Sequence, residues 1–250
     1  DVCSSDLTGI QSARGGRSEN ALRGAFFRFN YDYKGKYLLE VNGRYDGTSR
    51  FPKEDRFVFF PSFSAGWRVT NESFMESTKV WLDNLKIRGS YGTLGNQIII
   101  NSDGSQNYYP YVPSLTSSNS VFVMNSGTTP IVSPAALVSP TLTWESVTTK
   151  NIGLDATFLK GRLDITADAY IRQTKDMLLR ENLPIVLGAA EPLKNGADLE
   201  TKGWELAVNW KDKIGQDIKY GINLSLADSQ TKITKYANAS SPNVNGFYVG

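Results

Sequence analysis

FVFFPSFSAGW, residues 57–67, sets the aromatics Phe57, Phe59, Phe60, Phe63 and Trp67 among serine, glycine and alanine. Successive side chains of an extended strand point to opposite faces. Phe57, Phe59, Phe63, Ala65 and Trp67, continued by Val69, therefore share one face, and Ser62, Ser64, Gly66 and Arg68 share the other. The rest of the chain is polar, with a mean hydropathy of −0.32. This aromatic row needs either a protein core or a lipid surface.

The neighbouring sequence repeats the pattern. In AFFRFNYDY, residues 25–33, Phe27, Phe29, Tyr31 and Tyr33 oppose Arg28, Asn30 and Asp32. After a Lys34-Gly35 turn, KYLLEVNGRYDG sets Tyr37, Leu39, Val41 and Tyr45 against Lys36, Glu40, Asn42, Arg44 and Asp46. This reads as a hairpin with one apolar and one charged face. LKIRGSYGTLG, 85–95, is a fourth strand, and KNIGLDATFL and RLDITADAYIRQT form a hairpin around Lys160-Gly161. KGWELAVNW and IKYGINLSLA are the last two strands, so the chain carries about eight. Between strands three and four, residues 70–84 break the alternation and predict a short helix N-capped by Asn71. The stretches of about 96–143 and 176–200 predict long loops, and the polar tail, 229–250, carries no closing strand.

Composition narrows the function. The 250 residues hold 27 Lys and Arg against 25 Asp and Glu, a net charge of +2 that predicts no nucleic-acid partner. Histidine is absent and Cys3 is the one cysteine. Ser-His-Asp triads, His-ligated metals and internal disulfides are thereby excluded, and neither an enzyme nor a metal or other cofactor site is expected. No run of 18 apolar residues predicts a transmembrane helix, which leaves open a membrane barrel, whose strands need only about 9–11 residues. The chain opens with DVCSSDL, which resembles a translated sequencing adapter. We therefore expect residues 1–17 to be a non-native or disordered leader, with 1–7 adapter-like, and the chain to be an internal piece of something longer.

Connection lengths sort the alternatives. Tight turns after strands one, five and seven, against long connections after strands two, four and six, match an outer-membrane barrel with turns in the periplasm and loops outside the cell. A soluble sandwich also alternates, but its strands average about five or six residues. Here they run longer, and Tyr33, Tyr37, Tyr45, Phe57, Trp67, Trp204 and Trp210 sit near the ends of the apolar faces, where interfacial girdles form.

FVFFPSFSAGWRVTNESFM and WLDNLKIRGSYGTLGNQ resemble the barrel of the SusC/RagA family, TonB-dependent outer-membrane transporters of Bacteroidetes. SENALRGAFFRFNYDYKGKYLLEVNGRYDGTSRF, ESVTTKNIGLDATFLKGRLDITADAYIRQTKDML and NGADLETKGWELAVNW extend the resemblance over about 18–230. The resemblance implies a barrel of about 22 strands with a plugged lumen, of which residues 18–250 form part. It implies the outer membrane as location, a SusD-like surface lipoprotein over the mouth, TonB acting through an N-terminal part absent from this chain, and oligosaccharide or peptide cargo. The expected fold is all-β: a partial antiparallel transmembrane barrel with open edges, unstable alone in aqueous buffer. A passive porin-like channel and a soluble β-sandwich adhesin or glycan-binding module are the alternatives.

In that frame Arg28, Asp32, Glu40, Arg44, Arg68, Arg88, Asp155, Asp164, Asp168, Arg172 and Glu205 line the lumen, where a wetted wall wants polar side chains in any case. Tyr108, Tyr109, Tyr111 and Phe122, in the long loop, are candidates for cargo or partner contact, against simple loop packing. GSYGTLG, 89–95, lacks the spacing and lysine of a phosphate loop. Asp164 and Asp168 stand roughly 13 Å apart along one strand, outside glycosidase geometry. Trp67 is expected near the periplasmic girdle, Phe60 under an outer loop, and Pro61 at a bulge.

Overall fold

The computed structural model of the chain describes residues 17–101, 103–115, 117–124, 127–180, 192–215 and 217–237. Apart from Arg17, the expected leader lies outside the described residues. Eight strands form one antiparallel sheet: β1 (Leu22–Tyr33), β2 (Tyr37–Thr48), β3 (Phe57–Arg68), β4 (Leu82–Asn96), β7 (Glu145–Phe158), β8 (Leu163–Arg180), β9 (Leu193–Ile214) and β10 (Ile218–Tyr236). They follow one another in chain order, interrupted only by β5 (Ser117–Met124) and β6 (Gly127–Val132), which pair with each other. Among the described residues no helix is long and apolar enough to cross a membrane.

The expected apolar face is present and uncovered. Phe29 is 55%, Ile152 63% and Ile222 63% exposed. A sandwich would bury these side chains under a second sheet; here the other sheet is the β5–β6 pair. The row Tyr33–Tyr37–Trp67–Ile87–Leu154–Ala167–Leu206–Leu226 crosses all eight strands in register. On β1 to β3 this row is the margin of the apolar positions nearest the tight turns, and they continue toward the long loops as far as Phe27, Tyr45 and Phe57. On β10 the same row is the margin nearest the loops, and apolar residues continue through Ile222 to Ile218. The band thus slides by about six to eight residues over seven strand-to-strand steps. At about 3.3 Å per residue and 4.8 Å per step, that is a tilt of roughly 30–40°, close to the 35–45° of closed barrels. A level apolar band on tilted strands is what a lipid bilayer imposes.

Several sequence expectations are corrected. Residues 69–80 form two short 3-10 turns, Val69–Asn71 and Ser73–Val80, instead of a helix capped by Asn71. Asn71 Nδ2 donates instead to the carbonyl of Gly35 at 2.9 Å. Pro61 makes no bulge: β2 and β3 pair without a register shift, while the β3–β4 ladder stops at Ser62–Gly92, beside the residue with no N–H to give. The segment read as irregular contains β5 and β6. Strands β8, β9 and β10, of 18, 22 and 19 residues, run on into stretches expected as loop or tail. The β10 extension is polar, and those of β8 and β9, Asp176–Arg180 and Leu193–Glu200, carry Met177, Leu178, Leu179, Leu193 and Leu199 without a clean alternation.

At the turn end, Lys34 and Gly35 take φ of 54° and 63° within the three-residue connection between the paired Tyr33 and Tyr37. Tyr33, Tyr37 and Trp67 stack in sequence, with centroids 6.4 and 6.5 Å apart. Glu72 gathers this girdle: its carboxylate accepts from Tyr37 Oη at 2.7 Å, Lys36 Nζ at 2.9 Å and Trp67 Nε1 at 3.2 Å. Hydrogen bonds from Tyr37, Lys36 and Trp67 hold its pKa down at about 2. The clamp therefore contributes stability that is complete above the ordinary glutamate range and is lost as the pH falls through about 2. Tryptophan emission around Trp67 should stay unchanged on acidification to pH 4 and shift near pH 2, whereas Glu72→Gln should abolish the transition; a midpoint near 4.5 would contradict the clamp.

Candidate functional site

The residues expected in the lumen all fall on the face opposite the apolar row. On β1 to β4 this face holds a groove of about 540 Å³, with Asp32 and Glu40 toward one side, Lys86, Arg88 and Ser90 toward the other, and Ser64 and Gly66 between them. Small side chains at its centre leave backbone and hydroxyl groups accessible between walls of opposite charge. Such a surface suits a ligand rich in hydroxyls or peptide groups better than one of a single charge sign.

Beside the groove, Arg88 joins three strands. Its Nε pairs with Asp155 at 3.2 Å and its Nη2 with Asp168 at 2.5 Å. Arg88, Gly153 and Asp168 are aligned in register on β4, β7 and β8, so the guanidinium reaches Asp168 over the intervening glycine. A Cβ on Gly153 would stand 2.6 Å from Arg88 Cζ and 2.7 Å from Asp168 Oδ1. Gly153→Ala should therefore break the bridge and cost about 1–3 kcal/mol. Gly89→Ala, whose Cβ would meet nothing nearer than Asn151 O at 3.9 Å, should be tolerated. Urea midpoints of the two variants check this.

The other polar-face charges are dispersed. Arg28 donates to Asn42 at 2.8 Å, which in turn donates to Glu40 at 2.7 Å. Arg44 pairs with Asp46 at 3.0 Å, and Asp164 with Lys211 at 3.6 Å. Asp32 accepts from the Gly35 N–H at 2.7 Å and Arg68 donates to the Gly35 carbonyl at 3.4 Å, so both serve the turn. Arg172 and Glu205 make no ion pair among the described residues and point from the polar face as exposed charges.

At the loop end the connections build a core of their own. Phe51, Phe60, Ile99, Leu142 and Trp144 are buried together, with Val58, Leu178 and Leu193 packed against them. Phe60 enters where the β3–β4 ladder has ended, as expected of a residue under a loop. Arg50, 5% exposed, donates to Gln97 O at 3.3 Å and Gln106 Oε1 at 2.6 Å, and its guanidinium lies 4.9 Å from the Tyr108 ring centroid. Trp144 Nε1 donates to Arg56 O at 3.2 Å, and Asn195 bridges Thr143 to Asp176.

The loop aromatics are not gathered at one point. Tyr108 stacks on Arg50, Tyr111 Oη accepts from Arg56 at 3.5 Å, and Tyr109 is 45% exposed with its hydroxyl tied to the backbone of Glu19. Phe122 lies on β5, but its side chain is outside the described residues. Sequence reading passed over Glu72, Gly153, Arg50 and Asn195, because each acts on partners distant in sequence and no local pattern announces them.

This tilted sheet, with one lipid-suited and one polar face, matches the TonB dependent receptor-like β-barrel family over residues 4–250. The chain belongs to that family. It is 33% identical over 93% of its length to TonB-dependent receptor P26 of Formosa agariphila, covering 22% of that protein. It is 32% identical over 87% of its length to TonB-dependent receptor SusC of Bacteroides thetaiotaomicron, covering 21% of it. Among solved structures, the RagAB peptide importer in its open-open state superposes with a TM-score of 0.77 at 26% identity, over 93% of this chain and 25% of that one. The chain spans about a fifth of the length of the curated relatives it matches. It is an outer-membrane barrel segment, and its relatives are receptors, not enzymes.

Proposed function

We propose that this barrel segment is the wall of a receptor that imports oligosaccharide or peptide across the outer membrane, driven through TonB. The groove between Asp32/Glu40 and Lys86/Arg88 carries this reading, because it offers both charge signs and small hydroxyls to a neutral or zwitterionic chain. The TonB-dependent receptor name of the SusC relative supports the TonB-driven uptake, and the peptide importer title of RagAB supports peptide within this cargo range. In this reading the polar face lines the lumen and the loop ends of the strands stand outside the cell. A SusD-like lipoprotein covers them, with the apolar side chains of Val112, Leu115 and Leu137, exposed beyond the apolar band, as contact points. The test is uptake of labelled oligosaccharides and peptides by cells carrying the whole receptor. Import of one class should cease when TonB or the proton-motive force is removed, whereas a passive channel would keep it.

A further inference from the structure

Residues 69–81, between β3 and β4, make a longer connection than the other turns at this end of the sheet, and carry apolar side chains outside any strand. In a 3-10 helix, side chains three residues apart eclipse one another. Ser73–Val80 with its flanking residues therefore presents three rows: Glu72, Met75, Thr78 and Trp81; Phe74, Ser77 and Val80; and Ser73, Glu76 and Lys79. The first row is fixed at both ends to the apolar side of the sheet. Glu72 accepts from Tyr37 and Trp67 of the girdle, and the Trp81 ring stacks on that of Phe158 with centroids 6.0 Å apart. Tyr37, Trp67 and Phe158 all belong to the face given to lipid. Met75 and Thr78 are half-buried in the same row, and Val69 and Leu82 are buried where the segment leaves β3 and joins β4. The second row is left bare, with Phe74 66% and Val80 80% exposed. Trp81, half exposed, and the exposed Leu159 of the neighbouring turn adjoin it, the Leu159 N–H donating to the Trp81 carbonyl at 2.9 Å. The third row is polar and exposed, and neither Glu76 nor Lys79 has an ion pair among the described residues.

We propose that residues 69–81 are an interfacial foot in the phospholipid head-group layer at the turn end. Phe74, Val80, Trp81 and Leu159 lie toward the acyl chains, and Glu76 and Lys79 toward water. A segment with one apolar and one polar exposed row takes this position at the surface of a bilayer, and tryptophan favours the same depth. Continuity with the apolar band identifies lipid as the cover. Phe158 ends the band on β7, so the ring stacked on it stands at the last level that lipid reaches. The foot fixes the depth of the barrel, because movement one way carries Phe74 and Val80 into water and movement the other way carries Glu76 and Lys79 into hydrocarbon. It is distinct from the polar face and from cargo, and needs only that the apolar band spans the bilayer, whichever end faces the cell exterior.

The test uses single-cysteine versions of the whole receptor in phosphatidylcholine vesicles, each carrying a fluorescent probe, with the exposed Ser105→Cys as reference. At Phe74→Cys and Val80→Cys, quenching by lipids with a nitroxide near the head group should be at least about threefold stronger than at the reference, and quenching by aqueous iodide at least about threefold weaker. Glu76→Cys should show more iodide quenching than either. Iodide quenching at positions 74 and 80 equal to the reference would place the row in water, and protection from both quenchers would mean a protein cover; either result overturns the foot. A probe at Ser77→Cys leaves both apolar side chains in place. Its quenching by the lipid nitroxide should fall at least about threefold in Phe74→Asp/Val80→Asp, and unchanged quenching there also overturns the foot.

Discussion

Leu154→Arg should destabilise the inserted barrel by about 2–4 kcal/mol, the cost of a cation near the middle of the lipid-facing surface. Leu154 lies in the row that crosses all eight strands, midway between Phe158 and Lys150 on the same face of β7. Its neighbour in the opposite direction, Thr166, pairs with Asp155 on the polar face. Thr166→Arg should therefore change stability by no more than about 0.5 kcal/mol. Urea unfolding of the whole receptor in vesicles, followed by tryptophan fluorescence, measures both. Equal costs for the two variants would mean that the faces have been assigned wrongly.

Trp144→Ala should act in a different place and by a different mechanism. Trp144 is 6% exposed, 5.5 Å from the Phe51 ring and 5.6 Å from that of Phe60, and ties Arg56 by its indole N–H. Removing so large a buried ring costs about 3–5 kcal/mol. The loss should loosen residues 49–56 and 97–144 while leaving β1 to β4 and β7 to β10 protected within the bilayer. Hydrogen exchange resolved by segment reads this directly. Uniform loss of protection over the sheet would show that the loop core and the spanning strands unfold as one.

The faces of this sheet were legible in sequence because lipid demands apolar residues at every second position, as Phe27, Phe29, Tyr31 and Tyr33 show. Outside lipid that demand lapses. The ends of β8, β9 and β10, whose pairing runs on to Arg180, from Leu193 and to Tyr236, lack the clean apolar–polar alternation and read as loop. Pro61 announced a missing donor, but whether a strand bulges or loses a neighbour depends on the partner strand. The charged residues of the polar face were also legible as a set. Their grouping was not: Arg88 meets Asp168 only because β4, β7 and β8 align a glycine between them. Glu72 was unreadable for a similar reason, since Lys36 and Tyr37 approach it from a turn more than thirty residues away.

The small core of Phe51, Phe60, Ile99, Leu142 and Trp144 closes on itself at the loop end, with Phe60 entering from the polar face, while the spanning strands leave their apolar side chains to lipid. One chain is thus dissolved in two solvents at once, each half insensitive to the other's denaturant. Stripping the lipid attacks the anchor and spares the crown, whereas a water-borne denaturant takes the crown first. Substitutions that reshape the crown can accumulate without weakening the anchor, and that separation gives a receptor wall room to change what it meets outside while keeping its place in the membrane.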